Sequence, residues 1–247
     1  MENTSPVPVP DRKRLAIMQP YFFPYLGYWQ LLAAVDTFVL LDDVNFINRG
    51  WINRNRIAVN GLPFWLTVPL QAASQNRLIR DIDIVADDGW KKKMQRTLSA
   101  SYAQAPESGP VLPLFEQWLS RADGNLSAAL HLSVTQISAA LGIDTTVVPS
   151  SSIYPRNGLK GQERILDICR REGASVYVNP PGGRELYDAE AFRQAGIELM
   201  FLQPNLHQNE LRTGATDGSV LSILDSMMHN PAEVLADAVK RFELQAA

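Results

Sequence analysis

Two short apolar runs near the N-terminus flank a segment of helical composition. Residues 15–18 (LAIM) and residues 38–41 (FVLL) each end at polar residues, as buried strands do. Residues 28–35 (YWQLLAAV), which lie between them, have the composition of a helix. A strand, a helix and a strand over such a short length predict a βαβ unit, which is right-handed in nearly all proteins.

The middle of the chain first returns to extended structure and then becomes helical. Asn60-Gly61 predicts a hairpin turn, with residues 64–68 as the returning strand. Isoleucines alternating with charged residues over 79–84 predict one more short strand. Helical spacing of apolar residues then predicts three helices, at 90–102, 112–121 and 127–141. We interpret about 88–142 as a helical insertion.

The strand and helix patterns resume after this insertion. Strands are predicted at 145–148, 176–178 and 197–202, and helices at 162–171, 189–195, 219–229 and 232–242. The fold class is therefore α/β, with a mostly parallel sheet built from βαβ units. Prolines and charged residues at 1–14 predict a disordered lead, so a single domain is expected over 15–247.

Polar side chains follow the first two predicted strands. Gln19 to Tyr25 comes after the first strand, and Asp42 to Asn45 comes after the second. Because ligands of parallel sheets bind at the carboxyl ends of the strands, both segments are expected on one rim. The predicted cleft there combines Gln19, Tyr21, Asp42, Asp43, Asn53 and Arg54. Later loops expected on the same rim are 150–152, 179–184 and 203–208, the last with His207 and Gln208.

Composition excludes several classes of site. The net charge of −3 gives no bulk attraction to nucleic acid. The single cysteine, Cys169, lies on the apolar side of the 162–171 helix, so we interpret it as a core residue rather than a nucleophile. The three histidines are far apart, so neither a metal site nor a cofactor is predicted. No apolar run reaches 18 residues and no signal peptide is recognisable, so we expect a cytoplasmic protein.

Several motifs resemble the WbqC-like protein family. They are MQPYFFPYLGYWQLL at 18–32, FVLLDDV at 38–44, NRNRI at 53–57, WLTVP at 65–69, Trp90 with Tyr102 and Ala105-Pro106, Tyr177 with Gly182-Gly183, and LSILD at 221–225. The resemblance implies a bacterial protein of O-antigen or related surface-glycan biosynthesis, and hence of lipopolysaccharide modification. It also implies a glycine-type aminoacyltransferase acting on sugars.

This role sets chemical requirements that the predicted rim can meet. Transfer of an acyl group to a nucleotide-linked sugar amine needs a base, hydrogen-bond donors for the developing oxyanion and groups that bind the phosphates. Asp42 or Asp43 is the predicted base. The predicted substrate-binding residues are Arg54 and Arg56 on phosphate, Gln19 and Asn53 on the sugar or carbonyl, and Tyr21 and Tyr25 stacked on a ring. The alternative is that these arginines and aspartates form a structural ion-pair network.

The expected partners are small molecules, and two other functions stay open. The substrates would be a nucleotide-linked amino sugar and an acyl or aminoacyl donor. No nucleic-acid partner is predicted, although an aminoacyl-tRNA would be compatible as the donor. The first alternative is a non-catalytic protein that binds sugars or nucleotide-sugars in the same pathway. The second is a nucleotidylyltransferase-like enzyme, which the N-terminal βαβ unit suggests by analogy of fold alone.

Overall fold

The computed structural model describes residues 12–206 and 210–247, so most of the predicted N-terminal lead lies outside the described residues. The strands are β1 (Arg14–Met18), β2 (Thr37–Leu40), β3 (Arg54–Val59), β4 (Leu62–Thr67), β5 (Leu70–Gln71), β6 (Asp83–Ile84), β7 (Thr146–Val148), β8 (Val176–Asn179), β9 (Glu198–Pro204) and β10 (Phe242–Ala246). The helices are α1 (Leu26–Ala33), α2 (Asp88–Ser101), α3 (Ser108–Arg121), α4 (Leu126–Ala140), α5 (Gly161–Arg171), α6 (Ala189–Gln194), α7 (Ile223–His229) and α8 (Ala232–Ala238).

The central sheet has the strand order β10-β9-β8-β1-β2-β7. Neighbouring strands are parallel except for β10, which runs antiparallel to β9. The predicted α/β class with a mostly parallel sheet is therefore confirmed, as is the βαβ unit formed by β1, α1 and β2. The chain builds outward from β1 first toward β7 and then toward β10, so the topological switch lies between β1 and β8.

Both faces of the sheet are covered at its centre, which explains why the central strands β1, β2 and β8 are mainly apolar. Leu15 and Ile17 pack on one face with Cys169 of α5. Ala16, between them in sequence, faces the opposite side and packs with Phe38 in the larger core. Cys169 is fully buried, as its predicted core position requires, and burial raises the pKa of its thiol to about 12. Among the described residues, no helix has the length and apolar content needed to cross a bilayer.

A long insertion separates β2 from β7. It contains the hairpin of β3 and β4, a small pairing of β5 with β6, and the helices α2 to α4. The predicted helical character of about 88–142 is thus confirmed. The predicted hairpin turn is also confirmed, since Asn60 and Gly61 both have positive φ, at 51° and 79°. A two-residue turn of this kind needs residues that tolerate the left-handed region.

Three local predictions were wrong. Residues 79–84 do not form one strand, because Ile79–Asp81 is a 3₁₀ turn and only β6 follows it. The helix expected from residue 219 begins at Ile223, where Ser222 caps it by accepting a hydrogen bond from the Leu224 N–H. The helix expected to reach residue 242 ends at Ala238, because residues 242–246 form β10 and cover the edge of β9.

Candidate functional site

The residues that follow β1 and β2 lie on the same rim of the sheet. The Leu41 N–H donates to the Met18 carbonyl at 2.8 Å, so the two strands end side by side. Gln19 and Asp42 are therefore at the same end of the sheet, as predicted. The loop predicted at 203–208 ends outside the described residues, which include neither His207 nor Gln208.

Asp42 and Asp43 are both buried beneath this rim, each 2% exposed. The Asp42 carboxylate accepts hydrogen bonds from the hydroxyls of Ser127 at 2.6 Å and Ser150 at 2.7 Å. The Asp43 carboxylate accepts one from the Ser151 hydroxyl at 2.6 Å. Each carboxylate is thus surrounded by donors that belong to the protein itself.

Arg164 of α5 completes this cluster. Its guanidinium lies 3.1 Å from the Asp43 carboxylate and also donates to the carbonyls of Ser151 and Tyr154. The cation is only 3% exposed, so the pair is buried. The ion-pair alternative considered for Asp43 is therefore realised, but with Arg164 rather than Arg54. The geometry favours a structural role for both aspartates, and their catalytic role stays a prediction.

Gln19 and Tyr21 lie beside α1. The buried Tyr28 hydroxyl donates to the Gln19 carbonyl, while the buried Gln19 Oε1 has no hydrogen-bond partner among the described residues. The Tyr21 and Tyr28 rings are 5.9 Å apart, and burial raises the pKa of Tyr21. Gln19 therefore retains an acceptor for which the fold supplies no donor.

The aromatic loop, residues 20–25, is fastened to the insertion hairpin. Asn55 of β3 donates from Nδ2 to the carbonyls of Phe22 and Phe23, at 3.1 and 2.8 Å. The Ser222 hydroxyl donates to the same Phe23 carbonyl at 2.7 Å. Both donors of the Asn55 amide are therefore used within the protein. Asn53 likewise donates to the Val68 carbonyl at 2.8 Å.

One face of the hairpin carries arginines against exposed tryptophans. Trp51 and Trp65 are 40% and 39% exposed, and their ring centroids are 5.3 Å apart. The Arg54 guanidinium lies 4.2 Å from the Trp65 centroid, and Arg56 lies 5.5 Å from that of Trp51. With Arg49, these residues form what we call the Arg–Trp surface. Such stacking of guanidinium on indole is a favourable cation–π arrangement.

Arg54 has a second set of contacts that fixes the adjacent turn. Its Nε donates to the Gly50 carbonyl at 3.2 Å, and its Nη2 donates to the Arg49 carbonyl. Arg49 itself adopts a φ of 57°, a backbone conformation that non-glycine residues rarely adopt. Arg54 thus holds this turn in place, and no ion pair joins it to Asp42 or Asp43 in the part of the chain that the structure describes.

Two open cavities flank the Arg–Trp surface. The hairpin cavity, of about 440 Å³, is lined by Asn48, Arg49, Asn53, Arg54 and Thr67 among others. The loop cavity, of about 500 Å³, lies between Tyr25 and residues 211–221 and includes Asp225 in its wall. The predicted site residues are therefore divided among three places, namely the sheet rim, the hairpin cavity and the loop cavity.

Arg56 stands at the border of the loop cavity. Its Nη2 donates to the carbonyl of Val220, a residue of the cavity wall, at 2.9 Å. Its Nε is buried and has no partner within the described part of the chain. A buried nitrogen is not accessible to a ligand, so the donor that Arg56 can offer is Nη1, which forms no hydrogen bond with the other described residues.

A buried polar cluster behind the loop cavity was not identified from the sequence. Asp225, 1% exposed, accepts hydrogen bonds from the Tyr102 hydroxyl at 2.8 Å and the Thr213 hydroxyl at 2.7 Å. His229, one turn later in α7, places Nδ1 2.9 Å from the Asp225 carbonyl and 3.6 Å from its carboxylate. Burial and the nearby Asp225 charge raise the pKa of Tyr102. The spacing of four residues between Asp225 and His229 was the available signal.

Comparison with known proteins identifies the family. The profile of the WbqC-like protein family matches residues 19–236. The uncharacterized protein Rv1507c of Mycobacterium tuberculosis (strain ATCC 25618 / H37Rv) is 29% identical over 223 residues, which cover 90% of this chain and 95% of that protein. No solved structure gives a significant match. The family profile spans most of the chain, including the aromatic loop, the hairpin and the Asp225 cluster, and the chain therefore belongs to the WbqC-like protein family.

Proposed function

We propose that this protein transfers an acyl or aminoacyl group to the amine of a nucleotide-linked sugar, in bacterial surface-glycan biosynthesis in the cytoplasm. The observation that carries the proposal is the loop cavity, whose wall contains Tyr25 and Asp225, with His229 bonded behind Asp225 and Arg56 bonded to Val220 of the wall. An aromatic ring, a carboxylate–histidine pair and a guanidinium with a free donor are the groups needed for a sugar, its amine and its phosphate.

The binding half of the proposal assigns one task to Tyr25 and another to Arg56. Tyr25 is 47% exposed at the cavity, so its ring can stack on the apolar face of a sugar. Arg56 offers its Nη1, which bonds no other described residue, to a phosphate oxygen. Together they would hold the sugar with its amine directed into the cavity.

The chemical half assigns the base to His229. Its Nδ1 contacts Asp225, which leaves Nε2 without a partner among the described residues and fixes the orientation of the ring. In the proposed reaction the amine nitrogen forms a bond to the acyl carbonyl carbon. The bond from that carbon to the donor's leaving group breaks. His229 takes the proton from the amine and returns it to the leaving group.

A second candidate is a non-catalytic protein that binds nucleotide-sugars. The hydrogen bonds that the Asp225 carboxylate already accepts from Tyr102, Thr213 and Gly214 favour this candidate. A carboxylate whose oxygens are engaged in this way orients its neighbours rather than a ligand. Under this candidate the Asp225 cluster would shape the cavity, and no product would form.

The test is product formation from nucleotide-linked amino sugars with acyl-coenzyme A and aminoacyl-tRNA donors, followed by mass spectrometry. We expect His229→Gln to reduce turnover by about 10² or more, the usual contribution of a general base, without lowering the melting temperature. His131→Gln is the matched control, because His131 lies in α4 and is half-buried away from the cavity. Nucleotide-sugar binding without product in every combination would select the second candidate.

A further inference from the structure

The hairpin belongs to a stretch of unusual charge. From Val44 to Arg80 the sequence has five arginines and no aspartate, glutamate or lysine, although the whole chain has a net charge of −3. Of these arginines, Arg49 and Arg54 line the hairpin cavity. The Arg49 side chain forms no hydrogen bond or ion pair with the other residues that the structure describes. A concave, acid-free wall with a free guanidinium suits an anion.

A flat apolar surface lies next to this wall, because Arg54 of the wall stacks on Trp65. Trp51 and Trp65 retain substantial exposed area although Arg54 and Arg56 contact them. Stacking on tryptophan and hydrogen bonding to arginine are how proteins commonly hold a base and its phosphates. Asn48, also in this wall, adds an amide that can bond polar edges of a base or ribose.

We infer that the Arg–Trp surface and the hairpin cavity bind a nucleoside diphosphate, with the base against Trp51 and the diphosphate running from Arg49 toward Arg56. This inference rests on the proposed function, for which it locates the nucleotide of the sugar substrate. Arg54 and Arg56 are two residues apart on one face of β3, which is roughly 7 Å along a strand. A diphosphate spans such a distance and delivers its sugar to the loop cavity.

The geometry argues against larger anionic partners. A membrane surface is flat and contacts convex protein surfaces, whereas Arg49 and Arg54 line a concave cavity. An extended nucleic acid needs a long basic groove, and Asp217 lies near Arg56 at the far end of the surface. A single nucleotide matches both the cavity of about 440 Å³ and the short run of arginines.

The test measures binding alone, in the absence of any acyl donor, by tryptophan fluorescence and calorimetry. UDP, ADP, inorganic diphosphate, a short single-stranded RNA and phosphatidylglycerol vesicles are compared on the full chain. We expect Arg49→Gln and Trp51→Ala each to raise the Kd of the preferred nucleoside diphosphate at least tenfold. Phe64→Ala is the matched aromatic control, because Phe64 is on β4 but on the opposite face, and Arg121→Gln is the charge control.

Each other outcome overturns the inference. Absence of nucleoside diphosphate binding at millimolar concentration overturns it, as does equal weakening by Phe64→Ala. Equal affinity for inorganic diphosphate removes the role of the base, and binding of RNA or vesicles alone assigns the surface to another partner. If Trp51→Ala does not fold, Trp51→Leu serves in its place. Nucleotide binding without turnover would refute the proposed function only, whereas turnover unaffected by Arg49→Gln and Trp51→Ala would refute this inference only.

Discussion

At the scale of single residues, Arg164 determines what the two aspartates after β2 can do. A buried guanidinium needs a nearby anion, and the Asp43 carboxylate is the acceptor that the fold places 3.1 Å away. The serine hydroxyls around Asp42 satisfy the other carboxylate without any added cation. These contacts join the end of β2 to α5 and to the turn after β7, so the cluster stabilises the rim of the sheet.

The first prediction concerns this ion pair. Asp43→Ala removes the anion but leaves Arg164 buried, which should reduce the free energy of unfolding by about 3–5 kcal/mol. Urea denaturation at pH 7 measures the change. Asp237→Ala is the control, because it breaks an exposed pair with Arg241 and should cost less than about 1 kcal/mol. An Asp43→Ala variant that is as stable as the native protein but inactive would restore Asp43 as the catalytic base.

The sequence revealed some of these residue roles and not others. The burial of Cys169 could be predicted, because its helix has local apolar spacing that needs no knowledge of the fold. The ion-pair partner of Asp43 could not be predicted, because Arg164 is 121 positions later in the sequence and no local pattern connects the two residues. Asp42 and Asp43 were predicted as site residues because they follow a strand of a parallel sheet. That position alone does not distinguish a catalytic base from a buried structural carboxylate.

At the scale of elements, the aromatic loop and the hairpin form one unit. Asn55 satisfies two carbonyls of the loop, and the Phe22 N–H donates to the Trp51 carbonyl at 2.9 Å. The loop could be predicted as a turn from its prolines, but its attachment to β3 could not, because the two segments are about 30 residues apart. Tyr25 is therefore positioned at the loop cavity by contacts that the hairpin provides.

The second prediction separates the two asparagines of this hairpin. Asn55→Ala should destabilise the fold by about 1–3 kcal/mol, because it leaves the buried Phe22 carbonyl without a partner, whereas the Phe23 carbonyl keeps its bond from Ser222. Asn53→Ala should cost less, since its single bond to Val68 is only partly buried. Thermal unfolding measures both variants. Equal and small losses for the two would mean that the loop does not depend on Asn55.

At the scale of the whole molecule, the strand order places the switch between β1 and β8, yet both cavities lie beside the hairpin of the insertion. The alternation of apolar runs was enough to predict the α/β class, because the central strands β1, β2 and β8 are buried on both faces. It could not predict where the insertion packs, since that depends on contacts between distant segments. Residues expected in one cleft were consequently distributed among neighbouring sites.

The last prediction tests the hydrogen bonds that join the start of β1 to the end of α5. Glu172, just after α5, accepts hydrogen bonds from the Tyr154 hydroxyl at 2.6 Å and from Lys13, next to β1, at 2.9 Å. Burial alone would raise the pKa of Glu172, but these two donors bring it below the usual value of 4.5. The ionised carboxylate is therefore favoured by folding.

The sign of the pH dependence follows from this lowered pKa. The stabilisation is fully present above pH 4.5 and is lost as the pH falls through the lower pKa of the folded state. Tyr154→Phe should thus lower the free energy of unfolding at pH 7 by about 1.5–3 kcal/mol, the usual range for a hydrogen bond to a charged group. The difference from the native protein should shrink as the pH falls below 4.5.

Tyr187→Phe is the control, because the Tyr187 hydroxyl bonds the hydroxyl of Tyr177 and no carboxylate. Its effect on stability should therefore not change over the same pH range. A Tyr154→Phe effect that is independent of pH would mean that the hydroxyl does not stabilise the Glu172 anion.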